Sequence, residues 1–267
     1  MTTNRIDQKF RELKKQGCKA FIPYVTAGYP NLSVTEKLVL EFAQNDADII
    51  EIGIPFSDPM ADGPTIQQSS QQALDEGVTL NGIFDLVKKV RARNDVPLAL
   101  MTYYNPVFHF GEEKFVKKAR ACGVDGLIIP DLPPEEARSL LKIARREKIS
   151  LIFFLAPTTT EARMKKILKY AGGFVYFVSV AGVTGARRSL PAGLAAKVKK
   201  AKSFSRVPVC VGFGISTPEQ ARTLAAGADG VIVGSAIIKV ITQNQGKKDL
   251  VQKAGRLVAR LSKSLHI

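Results

Sequence analysis

Short apolar runs alternate with longer amphipathic segments along the whole chain. The runs are continuously apolar, which is typical of strands buried on both faces of a parallel sheet. Between them, apolar residues recur three and four positions apart, the spacing of one helix face. The pattern predicts strands at 19–26, 48–54, 97–102, 126–129, 150–156, 174–179, 207–211 and 230–233.

The amphipathic segments predict helices with recognisable ends. The first, 6–16, precedes strand 1 and is followed by Gly17, a typical helix-ending residue. Ser33 is placed to cap the second, and Pro134 to begin a later one with Glu135 and Glu136 in its first turn. The other predicted helices are 66–75, 80–94, 112–122, 160–171, 191–202, 218–226 and a C-terminal segment to about 265.

Eight strands that alternate with helices predict an α/β fold, a (β/α)8 TIM barrel with an extra N-terminal helix. No linker interrupts the alternation, so residues 1–267 are expected to form a single barrel domain. An open doubly wound sheet is the alternative. Its glycine-rich GxGxxG turn is absent after strand 1, and the eight repeats therefore favour the barrel.

Composition narrows the class of protein. The 267 residues are 45% apolar, enough for one large core, and no apolar run approaches the ~20 residues that span a bilayer. The N-terminus lacks the apolar segment of a signal peptide. Three scattered cysteines and two histidines make disulfides and a histidine metal site improbable. We expect a cytoplasmic protein without metal or membrane association.

The net charge of +15 raises the hypothesis of nucleic-acid binding. The basic residues, however, are spread over the polar faces of many predicted helices, without an interleaved aromatic platform. Solvated helix faces explain that distribution better, and no nucleic-acid partner is expected. The excess charge remains available to attract an anionic substrate or an acidic partner protein.

Two carboxylates near strand 2 are candidates for acid–base chemistry. Glu51 lies inside the apolar strand, where burial should raise its pKa. Asp58 and Asp62 follow in a loop that prolines and a glycine keep from becoming helical. A buried acid at the end of a strand and a second acid in the next loop suit proton transfer. The alternative, a structural Glu with turn-capping Asp residues, is about equally consistent with the spacing.

Loops after the last three strands are rich in glycine, at 182–185, 212–216 and 234–235. Glycine lets backbone N–H groups approach an anion closely, and this end of a TIM barrel commonly binds phosphate. Apolar and aromatic residues at the strand ends indicate a flat aromatic ligand, although each alone is more often barrel core. These are Phe21, Met101, Tyr103, Leu127, Leu155, Tyr176 and Phe213. The residues thus favour an acid–base enzyme for an aromatic, phosphorylated substrate.

Segments 21–30, 51–64, 182–185, 212–216 and 227–235 resemble the tryptophan synthase alpha subunit family, and the similarity runs nearly end to end. The resemblance implies retro-aldol cleavage of indole-3-glycerol phosphate to indole and glyceraldehyde 3-phosphate. It implies no cofactor in this chain and a pyridoxal-phosphate beta subunit, in an alpha2beta2 heterotetramer, that receives the indole. An alpha subunit with weak activity of its own, retained to activate the beta subunit, is the functional alternative.

The resemblance also implies residue roles. Glu51 would be the general acid–base residue, and Asp62 would accept the indole N–H. Tyr176 matches an active-site tyrosine, and Asp58 matches the region that faces the beta subunit. Thr184 matches a mobile-loop threonine that closes on Asp62. The residues matching phosphate ligands are Gly185, Gly214, Gly234 and Ser235.

Overall fold

The strands form a closed parallel barrel in sequence order, which confirms the predicted TIM-barrel architecture. A computed structural model describes residues 4–178, 193–212 and 214–266 of the chain. Each strand pairs with the next, and the last pairs with the first. The strands are β1 Ala20–Thr26, β2 Ile50–Gly53, β3 Leu98–Met101, β4 Gly126–Ile128, β5 Ser150–Leu155, β6 Val175–Val178, β7 Val209–Gly212 and β8 Gly230–Val233.

Helices surround the barrel, and α1 precedes β1 as predicted. Within the described ranges, no helix is both long and apolar enough to cross a membrane. The helices are α1 Arg5–Gln16, α2 Leu32–Gln44, α3 Pro64–Asp75, α4 Leu80–Arg91, α5 Tyr104–Phe110, α6 Glu112–Cys122, α7 Arg138–Arg146, α8 Glu161–Leu168, α9 Leu194–Phe204, α10 Pro218–Ala225, α11 Ser235–Gln243 and α12 Leu250–Lys263.

The predicted starts of α2 and α7 are wrong, and the predicted start at 191 lies outside the described residues. Helix α2 is capped by Asn31, whose side-chain oxygen accepts a hydrogen bond from the backbone N–H of Val34 at 2.9 Å, so Ser33 lies inside the helix. Helix α7 begins at Arg138, because the residues from Pro134 form turns. Glu135 in those turns pairs with Arg163 and Lys166 of α8 instead of capping a helix. Glu135 thus makes ion pairs with a distant helix and does not lie in the first turn of a helix, where the sequence pattern placed it.

Side chains alternate between two cores, as the pleat of a strand requires. One set faces the barrel axis and packs with the apolar face of α1, which closes the amino end of the barrel. The other set faces outward, in the layer between the strands and the surrounding helices. The inward set comprises Ala20, Ile22, Ile49, Ala99, Ile128, Ile152, Phe174, Cys210 and Ile232. Among the described residues, α1 covers the amino end of the barrel and leaves the carboxyl end open for a ligand.

A buried ion pair fastens α1 and α4 to the amino end of the barrel. Asp125, which is fully buried, accepts hydrogen bonds from the backbone N–H of Leu98 at 3.0 Å and from Arg91 at 3.1 Å. Arg5 of α1 donates a third, at 3.2 Å. Three donors satisfy the hydrogen-bonding capacity of this buried carboxylate. Its removal would leave partly buried arginine charges without a partner.

We expect Asp125→Ala to lower the free energy of unfolding by about 3–5 kcal/mol, since the two arginines lose their buried partner. Asp95→Ala is the matched control. Asp95 contacts the same two arginines at 3.2 and 3.9 Å, but its side chain is 89% exposed, and its loss should cost under about 1 kcal/mol. Urea unfolding at pH 7 measures both. Equal destabilisation by the two substitutions would contradict this assignment.

Candidate active site

A cavity of about 670 Å³ opens at the carboxyl ends of the strands. Its volume is in the range that encloses a small organic ligand. Both acid–base candidates, Glu51 and Asp62, line it, and so do Met101 and Tyr176. The structure therefore brings together residues that are far apart in sequence and that the sequence analysis assigned to one site.

Glu51 is buried in the wall of this cavity with an unsatisfied carboxyl oxygen. Its side chain is 1% exposed, and Oε2 is the one buried side-chain polar atom in the described ranges without a hydrogen-bond partner. Burial, with a smaller contribution from the nearby charge of Asp62, raises the pKa of Glu51 to about 8. Glu51 therefore keeps its proton at neutral pH. A neutral carboxyl group that faces a cavity is a competent proton donor.

Asp62 also lines the cavity, from the loop before α3, in a more polar setting than Glu51. The hydroxyl of Tyr103 donates a hydrogen bond to its Oδ2 at 3.1 Å and accepts one from the N–H of Ala61 at 2.9 Å. Burial raises the pKa of Asp62 to about 6, and the bond from Tyr103 opposes that rise. Asp62 is thus mostly ionised at neutral pH.

Tyr103 serves this carboxylate instead of lining the ligand pocket, to which the sequence analysis assigned it. Its ring stacks on Phe56 with the ring centroids 5.3 Å apart, and its hydroxyl holds the loop at Ala61 and Asp62. Burial is the main reason that its own pKa is raised, and the charge of Asp62 adds to it. Tyr103 therefore stays a donor and positions Asp62.

Two tyrosines lean across glycines to form walls of the cavity. The phenol of Tyr24 occupies the space that a side chain at Gly53 would need, and Tyr176 does the same at Gly212. Tyr176 also stacks on Phe154 with ring centroids 4.8 Å apart. Tyr24 and Phe154 line the cavity but were not among the predicted site residues. Counting in steps of two from Ile22 and Ile152, both inward, would have found them.

Three predicted pocket residues are elsewhere. Phe21, Leu127 and Leu155 are buried in the outer core, between the strands and the helices. Each is one position away from an inward-facing residue, and a shift of one residue moves a side chain to the opposite face of the sheet. They do not line the cavity, and the assignment of these three residues to the ligand pocket is wrong.

The predicted phosphate region lies at one side of the same cavity. Gly214, Gly234 and Ser235 line it, and α11 begins at Ser235. The first N–H groups of a helix have no partner within the helix and carry partial positive charge, which favours an anion. Lys239, one turn further along α11, also lines the cavity. Three predicted site residues lie outside the described residues: Gly185 of the phosphate site, Thr184 of the mobile loop and Phe213 of the aromatic pocket.

A second, shallower groove runs along the loop after β2 and the start of α3. Asp58 lines it and accepts a hydrogen bond from the hydroxyl of Ser57 at 2.5 Å. Met60, which is 88% exposed, lines both this groove and the cavity. In the part of the chain that the structure describes, no cluster of His, Cys, Asp and Glu could hold a metal ion.

Known proteins are similar to this chain in sequence and in fold. The family model for the tryptophan synthase alpha chain matches residues 10–266. The tryptophan synthase alpha chain of Geotalea uraniireducens (strain Rf4) is 51% identical over 258 residues, 97% of this chain and 96% of that protein. That of Citrifermentans bemidjiense is 47% identical and covers 98% of each chain.

Solved chains of tryptophan synthase have the same fold. Tryptophan synthase subunit alpha from Legionella pneumophila str. Paris superposes with a TM-score of 0.92 at 37% identity, with 99% of each chain covered. A chain of Mycobacterium tuberculosis tryptophan synthase superposes with a TM-score of 0.92 at 32% identity, over 100% of each chain.

Proposed function

Because this chain belongs to the tryptophan synthase alpha chain family, whose members cleave indole-3-glycerol phosphate to indole and glyceraldehyde 3-phosphate, we propose that Glu51 and Asp62 perform this cleavage. The chain is a carbon–carbon lyase of tryptophan biosynthesis. One observation carries the assignment of residues: a buried, unpartnered Glu51 faces the same cavity as an ionised Asp62.

Glu51 exchanges two protons in the proposed cycle. Its neutral carboxyl group donates a proton to C3 of the indole ring, which leaves a positive charge centred on the ring nitrogen. The resulting carboxylate then takes the proton of the hydroxyl group on the carbon bonded to C3. The bond between C3 and that carbon breaks, and its electron pair returns to the ring. Indole and an aldehyde form, and Glu51 is protonated again.

Asp62 stabilises the positive ring that forms midway through this cycle. Its carboxylate accepts the indole N–H, and a fixed negative charge is worth most where positive charge develops in a dry site. The hydrogen bond from Tyr103 keeps Asp62 in place and favours its ionised form. Met101, Phe154 and Tyr176 provide apolar and aromatic walls against which a flat ring system packs.

The substrate phosphate is proposed to bind at the start of α11. Gly214, Gly234 and Ser235 bring backbone close to the cavity there, and the helix N-terminus favours an anion. This site lies beside the aromatic walls, so one ligand with an indole ring and a terminal phosphate can reach both.

We further propose how the chain works as a subunit. The family is the alpha chain of tryptophan synthase, whose beta chain holds the pyridoxal phosphate. The alpha2beta2 assembly, a single domain over 1–267, a cytoplasmic location and the absence of a cofactor from this chain are part of the proposal. The groove at Asp58, next to the exposed side chain of Met60, supports this loop as part of the contact with the beta subunit.

Glu51→Gln is expected to reduce cleavage by ~10²- to 10⁴-fold, because the amide keeps the size of the side chain but cannot move a proton.

Asp62→Asn is expected to lower kcat by ~10²-fold or more, because the charge that faces the cation is lost. Steady-state indole release, with and without the beta subunit, measures both. Asp95→Asn, an exposed carboxylate outside the cavity, should keep full turnover. Near-normal kcat in either site variant would remove that residue from the mechanism.

Gly234→Asp is expected to weaken binding of glycerol 3-phosphate at least ~10-fold, because it places a carboxylate against the proposed phosphate site. Gly234→Ala is the steric control. A Cβ at this position would lie 3.3 Å from Cδ1 of Tyr24, so alanine reports crowding without charge, and we expect a smaller loss. Calorimetric titration gives both affinities. Equal affinity in the aspartate variant and the unmodified protein would move the phosphate site elsewhere.

A further inference from the structure

Tyr24 is a neighbour of Glu51 across the sheet. The two residues are paired in the register of β1 and β2, and both line the cavity. The phenol of Tyr24 extends over Gly53, which lies two residues beyond Glu51 on the same face of β2. Its hydroxyl group therefore lies over β2, beyond Glu51 toward the carboxyl end of the strand.

A chain of three buried hydroxyl groups begins at Tyr24 and ends at the backbone of α3. The Tyr24 hydroxyl lies 3.2 Å from Oγ1 of Thr26, and that atom lies 2.7 Å from Oγ of Ser69. Ser69 in turn donates to the carbonyl oxygen of Ile66 at 2.8 Å. Thr26 and Ser69 are almost completely buried, at 0% and 1% exposure, so water does not compete for these bonds.

The end of this chain sets the direction of all its bonds. A carbonyl oxygen only accepts, so the single proton of Ser69 is committed to Ile66. Thr26 must then donate to Ser69, and its own oxygen is left to accept the proton of Tyr24. The O–H bond of Tyr24 consequently points toward Thr26, two residues further along β1. The lone pairs of its oxygen are left for the opposite side, where its strand partner Glu51 lies.

We infer that Tyr24 is a positioning residue for the acid–base step, held by Thr26 with its oxygen turned toward Glu51 so that the carboxyl group keeps its proton. An oxygen that only accepts is unfavourable beside a carboxylate and favourable beside a neutral carboxyl group. Burial, followed by the charge of Asp62, raises the pKa of Tyr24 well above its usual value, so the phenol remains neutral. In the part of the chain that the structure describes, the other titratable groups that line the cavity with Glu51 and Tyr24 are Asp62, Tyr176 and Lys239.

The test is an infrared titration of the Glu51 carboxyl group in the full-length protein, with Glu51→Gln as the subtracted reference. Tyr24→Phe keeps the ring, and with it the burial of Glu51, but removes the oxygen. We expect the midpoint of Glu51 to fall by about half to one pH unit. In the pH profile of kcat/KM for indole release, the midpoint of the alkaline limb should move to lower pH by the same amount. This kinetic readout alone rests on the proposed function.

A second pair of variants tests the direction of the chain. Thr26→Val frees the O–H of Tyr24 to turn toward Glu51 and should also lower the midpoint, whereas Thr26→Ser keeps the hydroxyl and should leave it unchanged. In the Tyr24→Phe background the effect of Thr26→Val should vanish, because the group it releases is absent. Thermal unfolding of each variant confirms that it is folded.

An upward shift in Tyr24→Phe would mean that Tyr24 donates to a Glu51 carboxylate and would overturn the inference, and so would an unchanged midpoint. These outcomes are independent of the lyase assignment, because the infrared signal does not require turnover. If the midpoint falls as expected while Glu51→Gln retains activity, the positioning of the proton stands and the proposed role of Glu51 in cleavage fails.

Discussion

The structure depends on one unfavourable burial, that of the Glu51 carboxyl group. Burial on this strand removes the water that would hydrate an ionised carboxylate, and that loss of hydration costs several kcal/mol. The described residues do not satisfy Oε2, so the group escapes that cost by holding a proton. Its acid strength is therefore a consequence of its place on β2 and needs no dedicated charged partner.

The rest of the site divides proton and charge between two similar side chains. Asp62 belongs to a loop and receives a hydrogen bond from Tyr103, so its pKa rises less than that of Glu51. Two acids in one cavity thus have different protonation states at neutral pH, one a donor and one an anion. At the opposite end of the barrel, α1 packs against the inward side chains and leaves the carboxyl end as the open one.

Much of this could be predicted from the sequence, because it depends on patterns with a definite period. Eight apolar runs between amphipathic helices predicted the barrel, and the position of Glu51 inside one run predicted its burial. The sequence did not indicate which alternate residues of each strand face the cavity. Phe21 and Leu155 were predicted to line the cavity but face the helices, whereas Tyr24 and Phe154 line the cavity. Composition alone does not distinguish the two sides of a strand.

Other features depend on contacts between distant residues and have no local signal. The bond from Tyr103 to Asp62 joins positions 41 residues apart, and the ion pairs of Glu135 with α8 override its placement at a helix start. The same holds for the hydroxyl chain from Tyr24 to α3, since Thr26 and Ser69 are 43 residues apart. Motif resemblance can indicate which residues act, but the groups that support them become visible only in the folded chain.

If the active form holds a proton on Glu51 and a charge on Asp62, kcat/KM for indole release must depend on pH in two places. Activity should fall as pH drops through about 6, where Asp62 gains a proton, and fall again as pH rises through about 8, where Glu51 loses one. The alkaline limb is decisive. Activity that stays level to pH 10 would show that a protonated Glu51 is not required and would contradict the proposed mechanism.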